Sequence, residues 1–101
     1  MIGMAREKLE ERAIAAALEQ LPHWAVKEHK LHREYQFVDF AHAIGFMMTA
    51  SVLIEKMNHH PEWANVYNRV TVDLTTHDAG GITQRDVELA QLLEKIAGER
   101  A

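Results

Sequence analysis

The chain contains no cysteine. That absence excludes disulfides, thiolate zinc sites and a cysteine nucleophile together. Proline and glycine are sparse, two and five among 101 residues, and they form no linker-like run. No low-complexity tract or internal repeat is present either. No apolar stretch is long enough to span a bilayer, and the start lacks a signal-peptide pattern, so a cytoplasmic location without membrane attachment is expected. Positive charge is scarce: eleven Lys and Arg stand against fifteen Asp and Glu, a formal net charge of −4. Five of the basic residues fall between Arg6 and Lys30, interleaved with acids, which offers nucleic-acid phosphates no patch. Gly-x-Gly-x-x-Gly, phosphate-loop and Gly-x-Ser-x-Gly patterns are missing, so nucleotide use and serine hydrolysis have no support.

What is there is an ordinary globular composition, 48% hydrophobic and 26% charged, with a length that suits a single domain over residues 1–101. Ala5 to Leu21 reads as a helix, because Leu9, Ala13, Ala17 and Leu21 recur every four residues; Pro22 ends it. Trp24–Val26 is a short strand. Leu31–Phe37 alternates, with Leu31, Tyr35 and Phe37 on one side and His32, Glu34 and Gln36 on the other. Arg33 shares the apolar side and must snorkel or pair. Asp39 is a good N-cap for a second helix, Phe40 to Met57. Its apolar residues cover so much of the circumference that two sides need covering, one by the sheet and the other by a partner chain or, alternatively, by the first helix. "WANVYNRVTVDLTTH" reads as a hairpin turning at Asn68-Arg69. Two glycines follow in the loop His77–Gly81, and a last helix begins at Thr83, with Asp86 placed as in a capping box. The succession α-β-β-α-β-β-α predicts an α+β fold: a four-stranded antiparallel sheet with three helices packed on one face.

Seven histidines stand out, and three of them, His59, His60 and His77, fall at element ends. If the central helix and the last strand are neighbours, these three imidazoles meet at one edge. Histidine titrates near neutrality, so such a cluster suits general acid–base work. Two other readings compete. Adjacent histidines in an extended segment point to opposite sides and chelate one ion poorly, and His29, His32 and His42 are not at ligand spacing, which weighs against a metal site. A plain helix C-terminal cap, where a cation is favoured, would use the pair structurally. Asp86 as a helix cap, Glu55 as a solvated residue, Trp63 and Tyr67 as core, and Thr75 and Thr76 as strand residues are ordinary uses that need no chemistry.

Two segments carry a resemblance: "YQFVDFAHAIGFM" and "EKMNHHPEWANVYNRVTVDLTTHDAGGITQRD". Together with the early Trp24 they resemble the pterin-4a-carbinolamine dehydratases, also known as the dimerisation cofactor of a homeodomain transcription factor, over nearly the whole chain. The resemblance implies dehydration of 4a-hydroxytetrahydropterin to quinonoid dihydropterin, recycling the pterin used by aromatic amino acid hydroxylases. It implies no metal and no cofactor other than the pterin substrate. It also implies a homodimer or homotetramer joined through a sheet edge and the central helix. His59, His60 and His77 match the active-site histidines, with His59 and His77 as proton-transfer groups and His60 as a pterin-binding residue. Glu55, Asn58, Pro61, Trp63, Thr75, Thr76 and Asp78 match the substrate-contacting set. Asp86 either orients His77 or only caps its helix. Departures are mild: Asn58 stands where Asp is common, Ala79 where some members have cysteine, and Ile44 where Phe is frequent. The alternative function is an oligomeric protein-binding or transcriptional co-regulator module with little or no catalysis.

Overall fold

The computed structural model describes residues 7–98. The elements are α1 (Glu11–Glu19), β1 (Ala25–Lys27), β2 (Lys30–Gln36), α2 (Phe40–Met57), β3 (Glu62–Val66), β4 (Arg69–Leu74) and α3 (Gln84–Ala97), in the expected order. The strands form one antiparallel sheet in the spatial order β1-β2-β4-β3, which leaves β1 and β3 as edges. Leu31, Tyr35, Val70, Val72 and Leu74 alternate onto the covered face and are buried. They share one core with Phe46, Ala50 and Ile54 of α2 and with Val87, Ala90 and Leu93 of α3, while Ile14, Ala17 and Leu18 of α1 pack at its margin. Between these residues on the strands stand His32, Glu34, Gln36, Arg69, Thr71 and Asp73, so the other face is polar. All three helices therefore lie on one face.

The aromatic rings join strand to helix. Tyr35 lies 4.9 Å from Phe46 and Phe37 lies 5.1 Å from the same ring, within the range where tilted pairs attract beyond their buried area. Arg33 resolves its place on the apolar face by pairing. Its guanidinium sits 4.2 Å over the Tyr35 ring. Its Nε lies 3.1 Å from Glu94 Oε2, close enough for ionic attraction though without hydrogen-bond alignment. The same carboxylate accepts from Trp24 Nε1 at 3.0 Å and from the Tyr35 hydroxyl. Burial first, and the Glu94 carboxylate second, push the Tyr35 phenol well above its ordinary range.

Two boundaries and the covered side of the first helix differ from the sequence reading. The first helix starts at Glu11; Ala5 and Arg6 lie outside the described residues, and Glu7–Glu10 are not helical. Leu9 N–H is spent on Ile82 O at 2.8 Å, which holds that segment against the loop before α3. Ala13 is exposed, and the covered side of α1 runs through Ile14, Ala17 and Leu18 instead. The β3–β4 hairpin turns at Tyr67-Asn68, because Val66 pairs with Arg69. Asn68 is drawn out of the strand by a reciprocal pair of bonds with Phe37: Phe37 N–H to Asn68 O and Asn68 Nδ2 to Phe37 O, each 2.8 Å. That leaves Tyr67 at φ 53°, a left-handed conformation uncommon outside glycine, Asn and Asp.

The second helix spans the expected residues, with Asp39 Oδ1 accepting the His42 N–H at 2.8 Å as its N-cap. Only one side of it is covered: Ala43, Phe46, Ala50 and Ile54 are buried, whereas Met48 and Val52 are 67% and 63% exposed.

Candidate functional site

The ends of α2 and β4 and the start of α3 converge. Helix α2 stops at Asn58, which takes a left-handed conformation (φ 53°) and turns the chain into His59-His60-Pro61 and then β3. Arg85, at the start of α3, donates its Nη2 to Met57 O and to Asn58 O, the latter at 3.3 Å. A cation on these free carbonyls suits the negative end of a helix. Strand β4 runs out at Leu74 into Thr75-Thr76 and a single 3-10 turn, His77–Ala79. Gly80, at φ 75°, supplies the left-handed residue that closes the turn, and Thr76 pairs with Gly81. The chain then enters α3 through Thr83.

Asp86 ties the ends together. The capping box forms as its spacing predicts: Thr83 N–H donates to Asp86 Oδ2 at 2.9 Å. Thr76 Oγ1 donates to the same oxygen at 2.8 Å. Since that uses the one proton of Thr76, the 2.7 Å contact between the two hydroxyls has Thr83 donating to Thr76. The other oxygen of Asp86, Oδ1, takes His59 Nε2 at 2.6 Å. Asp86 is wholly buried and His59 is 11% exposed, so little water competes with this bond. A carboxylate only accepts, so Nε2 of His59 carries the proton and Nδ1 is the nitrogen left free.

The other two imidazoles are far more open. His60 is 56% exposed and holds Glu55 Oε1 at 3.0 Å; His77 is 78% exposed and holds Glu62 Oε2 at 3.1 Å. Glu62 also accepts Lys30 Nζ on Oε1 at 2.6 Å. That bond is the main reason its carboxyl lies below the usual carboxylate range, the His77 contact adding to it; Lys30 is raised in turn, chiefly by Glu62.

A cleft of about 300 Å³ is lined by Asn58, His59, His60, Thr75, Thr76, His77 and Asp78. The structure thus brings together the three histidines and four of the other residues singled out from sequence. Asp86 stands behind the cleft, bonded to His59 rather than His77. Glu55 reaches it only through His60. Pro61 and Trp63 do not line it; the Trp63 indole packs edge-on against Phe46, 6.5 Å between ring centres. Two neighbours escaped the sequence reading, Arg85 and Glu62. Arg85 had a sequence signal, a cation able to serve a helix C-terminus, but its target helix ends 27 residues earlier. Among the described residues no group of three or more His, Cys, Asp or Glu is arranged to hold a metal ion, and no helix is long and apolar enough to cross a membrane.

The family model described as pterin 4 alpha carbinolamine dehydratase matches residues 7–96. A protein of Solibacter usitatus described as a candidate pterin-4-alpha-carbinolamine dehydratase is 59% identical over 90 residues, covering 89% of this chain and 95% of its own length. One of Rhizobium rhizogenes with the same description is 49% identical over 100 residues, covering 97% and 99%. Among solved structures, the Brucella melitensis protein titled transcriptional coactivator/pterin dehydratase superposes with a TM-score of 0.88 at 40% identity, covering 91% of this chain and all of that one.

Proposed function

Because this chain belongs to the pterin 4 alpha carbinolamine dehydratase family, we propose that it removes water from a 4a-hydroxytetrahydropterin in the cleft lined by His59, His60 and His77. The product is the quinonoid dihydropterin, and the role is to return a pterin cofactor to use after aromatic amino acid hydroxylation. In the reaction the C4a–O bond breaks, the hydroxyl leaves as water with a proton from an acid, and the neighbouring N5–H gives its proton to a base as C4a=N5 forms. The step is redox-neutral and needs only proton transfer, so it calls for no metal and no cofactor beyond the substrate.

The observation that carries this reading is the pairing of a nearly buried His59 with the buried Asp86 beside two open histidines. His59, with its Nε2–H held, is the base: Nδ1 accepts a proton and the carboxylate behind it stabilises the imidazolium. His77, open and lining the same cleft, serves as the proton-transfer partner for the leaving hydroxyl. His60, backed by Glu55, binds and polarises the pterin, and Asn58, Thr75, Thr76 and Asp78 meet its polar edge. Addition of the protein to a synthetic 4a-hydroxytetrahydropterin is expected to accelerate dehydration above the spontaneous rate. His77→Ala is expected to lower kcat by about tenfold or more, as loss of one general acid–base group does. No acceleration by the wild-type protein overturns the reading.

We infer likewise that the chain self-associates as a dimer or tetramer. Support comes from the exposed Met48 and Val52 on α2, apolar surface that a lone domain leaves wet, and from the free edge of β3. Sedimentation at micromolar concentration is expected to give more than a monomer, and Met48→Lys with Val52→Lys a smaller species. A wild-type monomer contradicts it. A stoichiometric partner of another kind on this face, without turnover, would favour the co-regulator role instead.

A further inference from the structure

Glu62 opens β3 and sits directly opposite Asp73 of β4, carboxylate against carboxylate on the open face of the sheet. Like charges facing one another across strands are unfavourable, and each is met by a cationic or imidazole partner. His32 takes Asp73 at 2.8 Å, and Lys30 takes Glu62 at 2.6 Å. Lys30 occupies only Oε1 of Glu62. The second oxygen, Oε2, is directed at His77 Nε2, 3.1 Å away. Glu62 is therefore anchored at one oxygen from β2 and touches a cleft histidine with the other. Since the carboxylate accepts, Nε2 of His77 is the protonated nitrogen and Nδ1 is the one free to exchange a proton.

We propose that Glu62 is a positioning residue for His77, fixing which ring nitrogen carries the proton and how the ring is turned, with Lys30 as the tether that holds Glu62 in place. This rests on the reading of His77 as a proton-transfer group in the cleft. The three cleft imidazoles are then each backed by a carboxylate through Nε2: His59 by the buried Asp86, His60 by the exposed Glu55, and His77 by the partly exposed Glu62. Such backing sets the tautomer and the orientation of a histidine without the carboxylate itself touching the substrate. Because the Glu62 pair is solvated, its hold is weaker than that of Asp86, and Lys30 offsets this by restricting where the carboxylate can go.

Two readouts on the full chain test the proposal. The first needs no substrate: nitrogen-15 spectra of the imidazole rings, with His77 identified by the signals lost in His77→Gln. In the wild-type protein Nε2 of His77 is expected to be the protonated nitrogen. Glu62→Ala is expected to move the ring toward a mixture of tautomers while the signals of His59, which Glu62 does not touch, stay in place and report an intact fold. Glu62→Gln, which keeps an acceptor oxygen, lies between. The second readout is kinetic: Glu62→Ala lowers kcat about tenfold with KM changed less than about threefold, and Lys30→Met gives a smaller loss in the same direction. Unchanged His77 signals in Glu62→Ala overturn the proposal, whatever the protein catalyses. Changed signals with an unchanged kcat, in a wild-type protein that turns over, overturn the functional part. Changed signals in a protein without turnover support the pairing and remove the dehydratase reading instead.

Discussion

Asp86→Asn is expected to lower kcat for dehydration by about 10²–10³-fold while reducing stability by only about 1–2 kcal/mol. The asymmetry follows from the donors around the side chain. Thr83 N–H and the Thr76 hydroxyl both donate to Oδ2, and His59 Nε2 donates to Oδ1. An asparagine of the same shape can put its amide oxygen where Oδ2 stood and keep the helix cap and the threonine bond. Its NH₂ then faces His59, whose Nε2 must become an acceptor. The proton moves to Nδ1, the nitrogen that has to be vacant for the base. Flipping the amide restores His59 but sets two donors against the NH₂, which costs more where Asp86 is wholly buried. His59→Ala is expected to lose about as much kcat, and the double variant no more than either, because the two residues act as one unit. Steady-state kinetics with thermal melts on the three variants check this. A kcat in Asp86→Asn within threefold of wild type would remove Asp86 from the mechanism and leave it a helix cap.

That dual use explains what could be read before the fold was known. The spacing of Thr83 and Asp86 announces a cap from sequence, and the alternation in β2 and β4 announces which residues face the core. The histidines at element ends, with a family resemblance over the motifs around them, marked the cleft. Three things were not legible. The partner of Asp86 depends on how α2 ends against α3, and nothing local says that His59 rather than His77 arrives there. Glu62 and His77 meet only because β3 and β4 pair in one register, fifteen residues apart in sequence. The turn at Tyr67 carries no glycine, because the bonds between Asn68 and Phe37 decide where the chain reverses. Local pattern chose the elements; long-range hydrogen bonds chose their ends.

The same distinction governs the second large effect, at the opposite end of the sheet from any chemistry. Glu94→Ala is expected to destabilise the fold by about 3 kcal/mol, and so to lower Tm by roughly 12–24 °C for a domain of this size. Glu94 Oε2 is the shared acceptor of Trp24 Nε1 and the Tyr35 hydroxyl and the counter-charge of Arg33. Tyr35 is fully buried and Trp24 nearly so, and neither has another acceptor among the described bonds. Removing the carboxylate leaves two donors unpaired and a guanidinium, already off-line at Nε, with only the Tyr35 ring for company. Arg33 and Glu94 keep 16% and 27% side-chain exposure, so water relieves part of the penalty and the lower end of the buried-pair range applies. Glu94→Gln keeps an oxygen for the tryptophan and tyrosine and is expected to lose about 1 kcal/mol. Adding Arg33→Met to Glu94→Ala is expected to return part of the stability, since the stranded charge is then gone. None of the four residues lines the histidine cleft, so kcat measured well below the melting temperature should stay within about twofold of wild type. A melting temperature lowered by less than about 4 °C in Glu94→Ala would mean that solvent, rather than Glu94, satisfies this cluster.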